Sequence, residues 1–326
     1  MKKTISLLLV LSILLALPLL NACKKIDSEL EIKVWTLNGT TGFGMAQLID
    51  ADKNGTAALN YTFTVETAAT NVRDALINGT ADIGALPTNV ASSLYNSTKG
   101  EIVLLAINTR GVLYLLANTA KTDAPSELAD LAGKTVYCPA QNPAFITQAL
   151  LSKAGIENVT LDSTTYAEPA ALQAAVAQGA VDLAILPEPM VTIAKSAAAE
   201  GVSLTTALDL TAQWDKYFPE GSLVQGCVVA RKAFVQEHPA EIAKFLEEYK
   251  TSLEYVVADP KGGAQMIVDA DIFGKAPVAQ KAIPKCNLAF ITGTEMKEAM
   301  SVFLAAMPLA SIGNALPADD FYFGAQ

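Results

Sequence analysis

Residues 78–90 read NGTADIGALPTNV, and residues 178–190 read QGAVDLAILPEPM, so one short pattern recurs after 100 positions. Gly79 and Gly179, Asp82 and Asp182, Leu86-Pro87 and Leu186-Pro187 are shared, with Ala75 and Ala175 just upstream. In each copy a helix-like run ends at Gly, an Asp opens a buried strand, and Leu-Pro ends the strand where a new helix begins. Gly at a helix end accepts positive φ without a Cβ penalty, and Pro stops a ladder yet suits a first helical turn. Helix and strand in quick alternation predict a parallel α/β sheet. In such sheets ligands sit outside the carboxyl ends of strands, where helix N-termini present free N–H groups. Two copies therefore predict two facing ligand walls.

The chain starts with Lys2-Lys3 and an apolar run over 5–20, the charged start and short hydrophobic centre of a secretion leader. That run is too short to cross a bilayer comfortably. Leu20-Asn21-Ala22-Cys23 then resembles the bacterial lipobox, whose Cys is lipidated and becomes the mature N-terminus. The expectation is a leader over 1–22, a tether over 23–31 and an extracytoplasmic chain held to the membrane by its lipidated Cys23 alone. The formal charge of −10 becomes −12 once Lys2 and Lys3 are removed, a poor match for nucleic acid or an anionic membrane surface.

About 300 mature residues exceed one ordinary core, so two domains are expected. A strand over 32–37 leads into the small polar turn Asn38-Gly39-Thr40-Thr41-Gly42 and a helix over 43–50. Strands over 61–65, 82–86, 102–107 and 112–117 alternate with helices over 68–77 and 89–95. The polar segment 118–130 interrupts this pattern, and 133–137 restarts it. Then come a helix opened by Gln141-Asn142-Pro143, a strand over 159–166, a helix over 169–178, a strand over 182–186 and a helix over 191–199. A strand over 223–230 leads out. The remainder reads as helices, including the apolar stripe Ile242, Phe245, Leu246, Tyr249, Leu253 and Val256 behind Pro239. With too few strands to stand alone, these helices are expected to complete the first domain. The expected lobes are 32–117 with 228–326, and 118–227.

Catalytic patterns are missing from the sequence. His238 is the single histidine and reads as a loop residue; no metal-ligand spacing, nucleophile elbow or phosphate loop occurs, so neither an enzyme nor a cofactor is expected. Of the cysteines beyond Cys23, Cys138 reads as a buried strand thiol, whereas Cys227 and Cys286 could form a disulfide outside the cell. The turns that follow the strands supply binding chemistry instead. In the first lobe they carry Thr40, Thr41 and Gly42, Thr88 and Asn89, and Asn108, Thr109 and Arg110; in the second, Gln141 and Asn142, Tyr166, Glu188 and Met190. Each could equally be a helix cap.

Taken together, the lipobox, the Thr40-Thr41-Gly42 turn, Ala81-Asp82-Ile83 with Pro87-Thr88, Val181-Asp182-Leu183 with Pro187-Glu188-Pro189, and Val228-Val229-Ala230-Arg231-Lys232 with Phe234 and His238-Pro239 carry a resemblance. In that order they resemble the substrate-binding proteins of bacterial ABC importers, in the nitrate, sulfonate, taurine and thiamine-pyrimidine group. The resemblance implies the two-lobed type II periplasmic binding protein fold, an α/β architecture with a mostly parallel sheet in each lobe. It also implies two crossing strands near 113–119 and 224–231, a small-molecule ligand between the lobes, and the permease and ATPase subunits as partners of a monomer. On this basis Thr88 and Glu188 should lie on opposite walls. Glu188 and Arg110 nearly balance in charge, leaving a sulfonate or nitrate and a pyrimidine-type heterocycle both open. An enzyme on the same fold and a surface adhesin lipoprotein are the alternatives.

Overall fold

The computed structural model describes residues 26, 27 and 29–325. The expected leader over 1–22, the expected lipidation site Cys23 and residues 24, 25 and 28 of the expected tether lie outside the described residues. From β1 (Glu31–Leu37) the chain runs through α1 (Thr40–Phe43), α2 (Ala46–Lys53), β2 (Asn60–Glu66), α3 (Ala69–Asn78), β3 (Ile83–Pro87), α4 (Thr88–Ser97) and β4 (Ile102–Arg110). It then builds β5 (Leu113–Asn118), β6 (Thr135–Tyr137), α5 (Asn142–Lys153), β7 (Thr160–Asp162), α6 (Pro169–Ala177), β8 (Leu183–Pro187), α7 (Met190–Ser196), β9 (Leu204–Asp209) and α8 (Leu210–Tyr217). The last part is β10 (Val224–Arg231), α9 (Lys232–Glu237), α10 (Pro239–Ala258), α11 (Pro260–Asp269), α12 (Ala276–Ala282), β11 (Leu288–Ile291) and α13 (Gly293–Ala305).

These strands make two sheets, ordered β11-β4-β10-β3-β1-β2 and β7-β6-β8-β5-β9. Both follow one plan. The second, first and third strands of each lobe run parallel, and the next place is taken by an antiparallel strand, β10 in the first sheet and β5 in the second. The echoed segments are β3 and β8 with their preceding turns. Gly79 and Gly179 both adopt left-handed φ, 74° and 70°. The Asp82 carbonyl accepts the Arg231 N–H, and the Asp182 carbonyl accepts the Asn118 N–H at the matching place. Asp82 also pairs with the Arg231 guanidinium at 2.7 Å and accepts the Lys33 N–H, so this carboxylate pins three strands of the first sheet together.

Sheet pairing moves the expected lobe boundaries. β5 pairs with β8 and β9, so 113–117 belong to the second sheet, and 224–227 belong to the first with the rest of β10. Both are apolar runs that fit either sheet by pattern; only register decides. The crossing from the first sheet is therefore the two-residue link Gly111-Val112. β4 extends through Asn108, Thr109 and Arg110, which sit in the strand rather than in a turn after it. The expected helix over 43–50 splits into α1 and α2, and the strand over 159–166 shortens to Thr160–Asp162. β9 and β11 are additional edge strands, half-exposed and too short to show a clear alternation.

Leu113, Leu115 and Ile185 of the second sheet, Leu86 and Val229 of the first and Phe303 of α13 share one apolar core. Trp214 on α8 stacks on Phe218 with ring centroids 4.0 Å apart and donates its indole N–H to Ser222. Its other neighbour is Phe303 on α13, 6.1 Å away. The stripe foreseen on α10 is buried against the opposite face of the first sheet, except Leu246, which is half-buried.

Cys227 and Cys286 do not form the disulfide that the sequence left open. Both are buried free thiols, as is Cys138, and Cys227 donates to the Leu86 carbonyl within the β3 and β10 ladder. Burial pushes the Cys138 thiol up to about 12, and the other two rise for the same first reason. Since the thiolate is the reacting form, these three cysteines should resist a thiol reagent in the native protein and react only after denaturation. Intact mass should not change on reduction.

Candidate functional site

A cleft of about 420 Å³ opens between the two sheets. Its first wall comes from Leu37, Asn38, Thr40 and Thr41 after β1, Thr67 and Ala69 after β2, and Pro87, Asn89 and Val90 after β3. The opposite wall is made by Ala140, Gln141, Asn142 and Pro143 at the start of α5 and by Ala167, Glu168 and Pro169 at the start of α6. Thr109, Val112 and Gln225 form the floor, where the chain passes between the sheets.

Four helices of useful length point their N-termini at this cleft, α3 and α4 from one side and α5 and α6 from the other. None has a side-chain cap: their cap positions hold Ala68, Pro87, Gln141 and Glu168. Elsewhere α8 and α11 are capped by Asp209 and Asp259, whose carboxylates accept N–H groups of the first turn, while α2, α10 and α13 are uncapped like the four at the cleft; what sets the four apart is where they point. The Asn71 N–H already donates to the Ala68 carbonyl, and Pro143 and Pro169 have none to give; the other first-turn N–H groups, reinforced by the helix dipole, offer donors to an acceptor-bearing solute from both sides. Among the described residues, Glu168 is the only ionisable side chain on the lining, which includes no Lys, Arg or His.

Of the residues singled out from sequence, Thr40, Thr41, Asn89, Thr109, Gln141 and Asn142 are on the cleft lining. Gly42 stands behind it, because a Cβ there would sit 2.0 Å from the Leu37 carbonyl oxygen; the turn needs a glycine. Asn108 is buried and donates to the Thr41 carbonyl at 3.0 Å, bracing the same turn from below. Arg110 points to Glu295 at 3.3 Å. Tyr166 packs against Tyr137, and Met190 joins the same apolar cluster.

Thr88 and Glu188 do not face each other across the cleft. Thr88 is buried and donates to the Val224 carbonyl at 2.8 Å, tying α4 to β10. Glu188 is buried behind the floor and accepts from the Thr192 N–H and hydroxyl at 3.1 and 3.0 Å. Here the lobes also meet: α12 packs on α7, and the Tyr114 hydroxyl donates to the Lys285 carbonyl. Both side chains are spent on partners within the protein, Thr88 on the β10 backbone and Glu188 on Thr192 one turn along its own helix start. His238 packs on the Phe234 ring, away from the cleft.

Thr67, Glu168 and Gln225 are cleft residues that the sequence reading passed over. Thr67 and Glu168 each stand between a strand and a helix, the same grammar used for the others. Gln225 is the single polar side chain in the strand LVQGCVVA.

The described residues contain no group of three or more His, Cys, Asp or Glu able to hold a metal, and no helix long and apolar enough to cross a membrane. Against solved structures, the chain superposes on an ABC transporter protein from Parabacteroides distasonis with a TM-score of 0.74 and 22% identity, covering 91% of this chain and 99% of that one. It also matches the periplasmic aliphatic sulphonate binding protein SsuA of Escherichia coli (TM-score 0.65, 14% identity, 83% and 84% covered). A third match is the alkanesulfonate-binding protein SsuA of Xanthomonas axonopodis pv. citri bound to MOPS (TM-score 0.60, 13% identity, 90% and 96% covered). No curated protein matches the sequence. Sheet order, crossing links and intervening cleft make this a two-lobed periplasmic binding protein fold. The NMT1/THI5-like family model matches residues 57–262, and the chain belongs to that family.

Two predictions come from this geometry. Gln141 adopts φ 63°, a conformation that costs a non-glycine residue about 1 kcal/mol or more. Gln141→Gly should raise the melting temperature of the ligand-free protein by that order of stability; a lower temperature would show the side chain to be stabilising. Burial raises the Glu188 carboxyl above its ordinary value, partly offset by the Thr192 hydrogen bonds and by Lys285 and Lys195. A raised folded-state value favours the protonated form. Its stabilising contribution is complete below about 4.5 and is lost as pH climbs through the raised value. Glu188→Gln should flatten that part of the stability profile, as read by urea melts across pH 4–8.

Proposed function

We propose that this chain is the extracytoplasmic solute-binding component of an ABC importer, held to the membrane through lipidated Cys23 and working as a monomer with permease and ATPase subunits. The observation that carries the reading is the cleft lined by four uncapped helix N-termini, two from each lobe. A solute that satisfies donors on both walls favours the arrangement in which the walls are close, a population shift the permease can read. Binding without turnover is the chemistry such a lining supports: backbone donors, amides and hydroxyls, with no activated nucleophile among them.

The solute is a small organic molecule of sulfonate type or pyrimidine type. A sulfonate would meet the helix N-termini through its oxygens, with no side-chain cation to help. An amino-bearing heterocycle would use the same donors for its ring nitrogens and give its N–H groups to Glu168. Taurine, MOPS and 4-amino-5-(hydroxymethyl)-2-methylpyrimidine separate these possibilities in a thermal-shift titration. A bound solute should stabilise the mature chain by about 2.7 kcal/mol at a hundredfold its dissociation constant. No shift with any of the three would remove both solute classes, and chemical conversion of one would favour an enzyme on this fold.

A further inference from the structure

β10 contains an irregularity where it enters the first sheet. Val224 faces Arg110 and Gly226 faces Thr109, which makes Gln225 the extra residue of a β-bulge. A bulge turns a side chain out of the ladder and re-aims it. Over residues 222–230 Gln225 alone is not buried, and its exposure is toward the cleft floor that it shares with Thr109 and Val112. Gly226 permits this packing, because a Cβ there would stand 2.5 Å from the Asn108 carboxamide oxygen.

The Gln225 Oε1 accepts the Val112 N–H at 2.7 Å. These two residues are counterparts. Leu113 stands opposite Pro187 as Gly226 stands opposite Pro87, so Val112 and Gln225 each immediately precede the pairing of a crossing strand with an echoed strand. One side-chain amide thus joins the chain leaving the first sheet to the chain coming back. Its Nε2 has no partner among the described residues.

We propose that Gln225 is the positioning residue that couples an occupant of the cleft to the connection between the lobes. Its Nε2 donates to an acceptor atom of the occupant while Oε1 holds the Val112 N–H, so one rigid amide carries both contacts. The proposal rests on the cleft being the solute site and adds that the solute presents an acceptor at the floor.

Two variants separate the two halves of the amide. Gln225→Glu keeps an acceptor for Val112 and replaces the donor, whereas Gln225→Met keeps the length and removes both. Melting curves establish that each variant is folded. In ligand-free protein, Val112 amide exchange should be slow in wild type and Gln225→Glu and roughly tenfold faster in Gln225→Met, with small-angle scattering changed only in Gln225→Met. Titration with MOPS and with 4-amino-5-(hydroxymethyl)-2-methylpyrimidine should show at least one binding to wild type, with affinity about tenfold lower in Gln225→Glu. Binding should slow Val112 exchange further in wild type but not in that variant. Wild-type affinity in Gln225→Glu would overturn the proposal, as would superimposable exchange and scattering in all three proteins. If neither probe binds wild type, the solute-binding reading loses its support, and the ligand-free exchange and scattering still decide whether Gln225 sets the connection.

Discussion

Each sheet is completed by a strand delivered from the other lobe, and this exchange governs the rest of the molecule. β5 enters the second sheet directly from β4 of the first, and β10 enters the first after β9 and α8 of the second. Both inserted strands pair with an echoed strand, β8 or β3, and both are almost wholly buried. Ladder hydrogen bonds on both sides leave these strands little freedom, so movement between the lobes has to be taken up in the short links just outside them, at Gly111-Val112 and around Gln225. The cleft floor is built from those links.

The same arrangement explains the division of labour among polar residues. Those packed against the inserted strands, Thr88 at the start of α4, Asn108 on β4 and Glu188 just before α7, are consumed by partners within the protein. Those one turn further out, such as Thr40, Asn89, Gln141 and Glu168, remain on the cleft surface. Leaving four helix starts uncapped removes a stabilising contact of about 1 kcal/mol at each, set against an array of donors already oriented toward a guest.

Much of this was legible in the sequence because the βα corner has strict local chemistry. Gly79 and Gly179 must take positive φ, and Leu86-Pro87 and Leu186-Pro187 must end a buried strand, so both corners and their parallel neighbours were visible. Residues 113–118 illustrate the limit: an apolar run identifies a strand but not its partner, and the register that puts it in the second sheet is a long-range property. The site shows the same limit at finer scale. The sequence located Thr88 and Glu188 beside the strand ends but could not say that each would turn back onto a nearby backbone group. Gln225 was hidden for the opposite reason, since a bulge reverses the direction that simple alternation assigns.

The strand exchange also gives the two sheets different histories as the chain emerges from its N-terminus. The second sheet is assembled wholly from residues 113–209 and can close as soon as that stretch is available. The first holds β1, β2, β3 and β4 early, but its middle place stays open until Val224–Arg231 arrives, more than a hundred residues after β4. Until then the facing edges of β3 and β4 present unpaired backbone groups and apolar faces, the condition in which chains associate with one another or require a chaperone. The strand pairing of the smaller lobe can therefore be complete while the larger waits for its central strand.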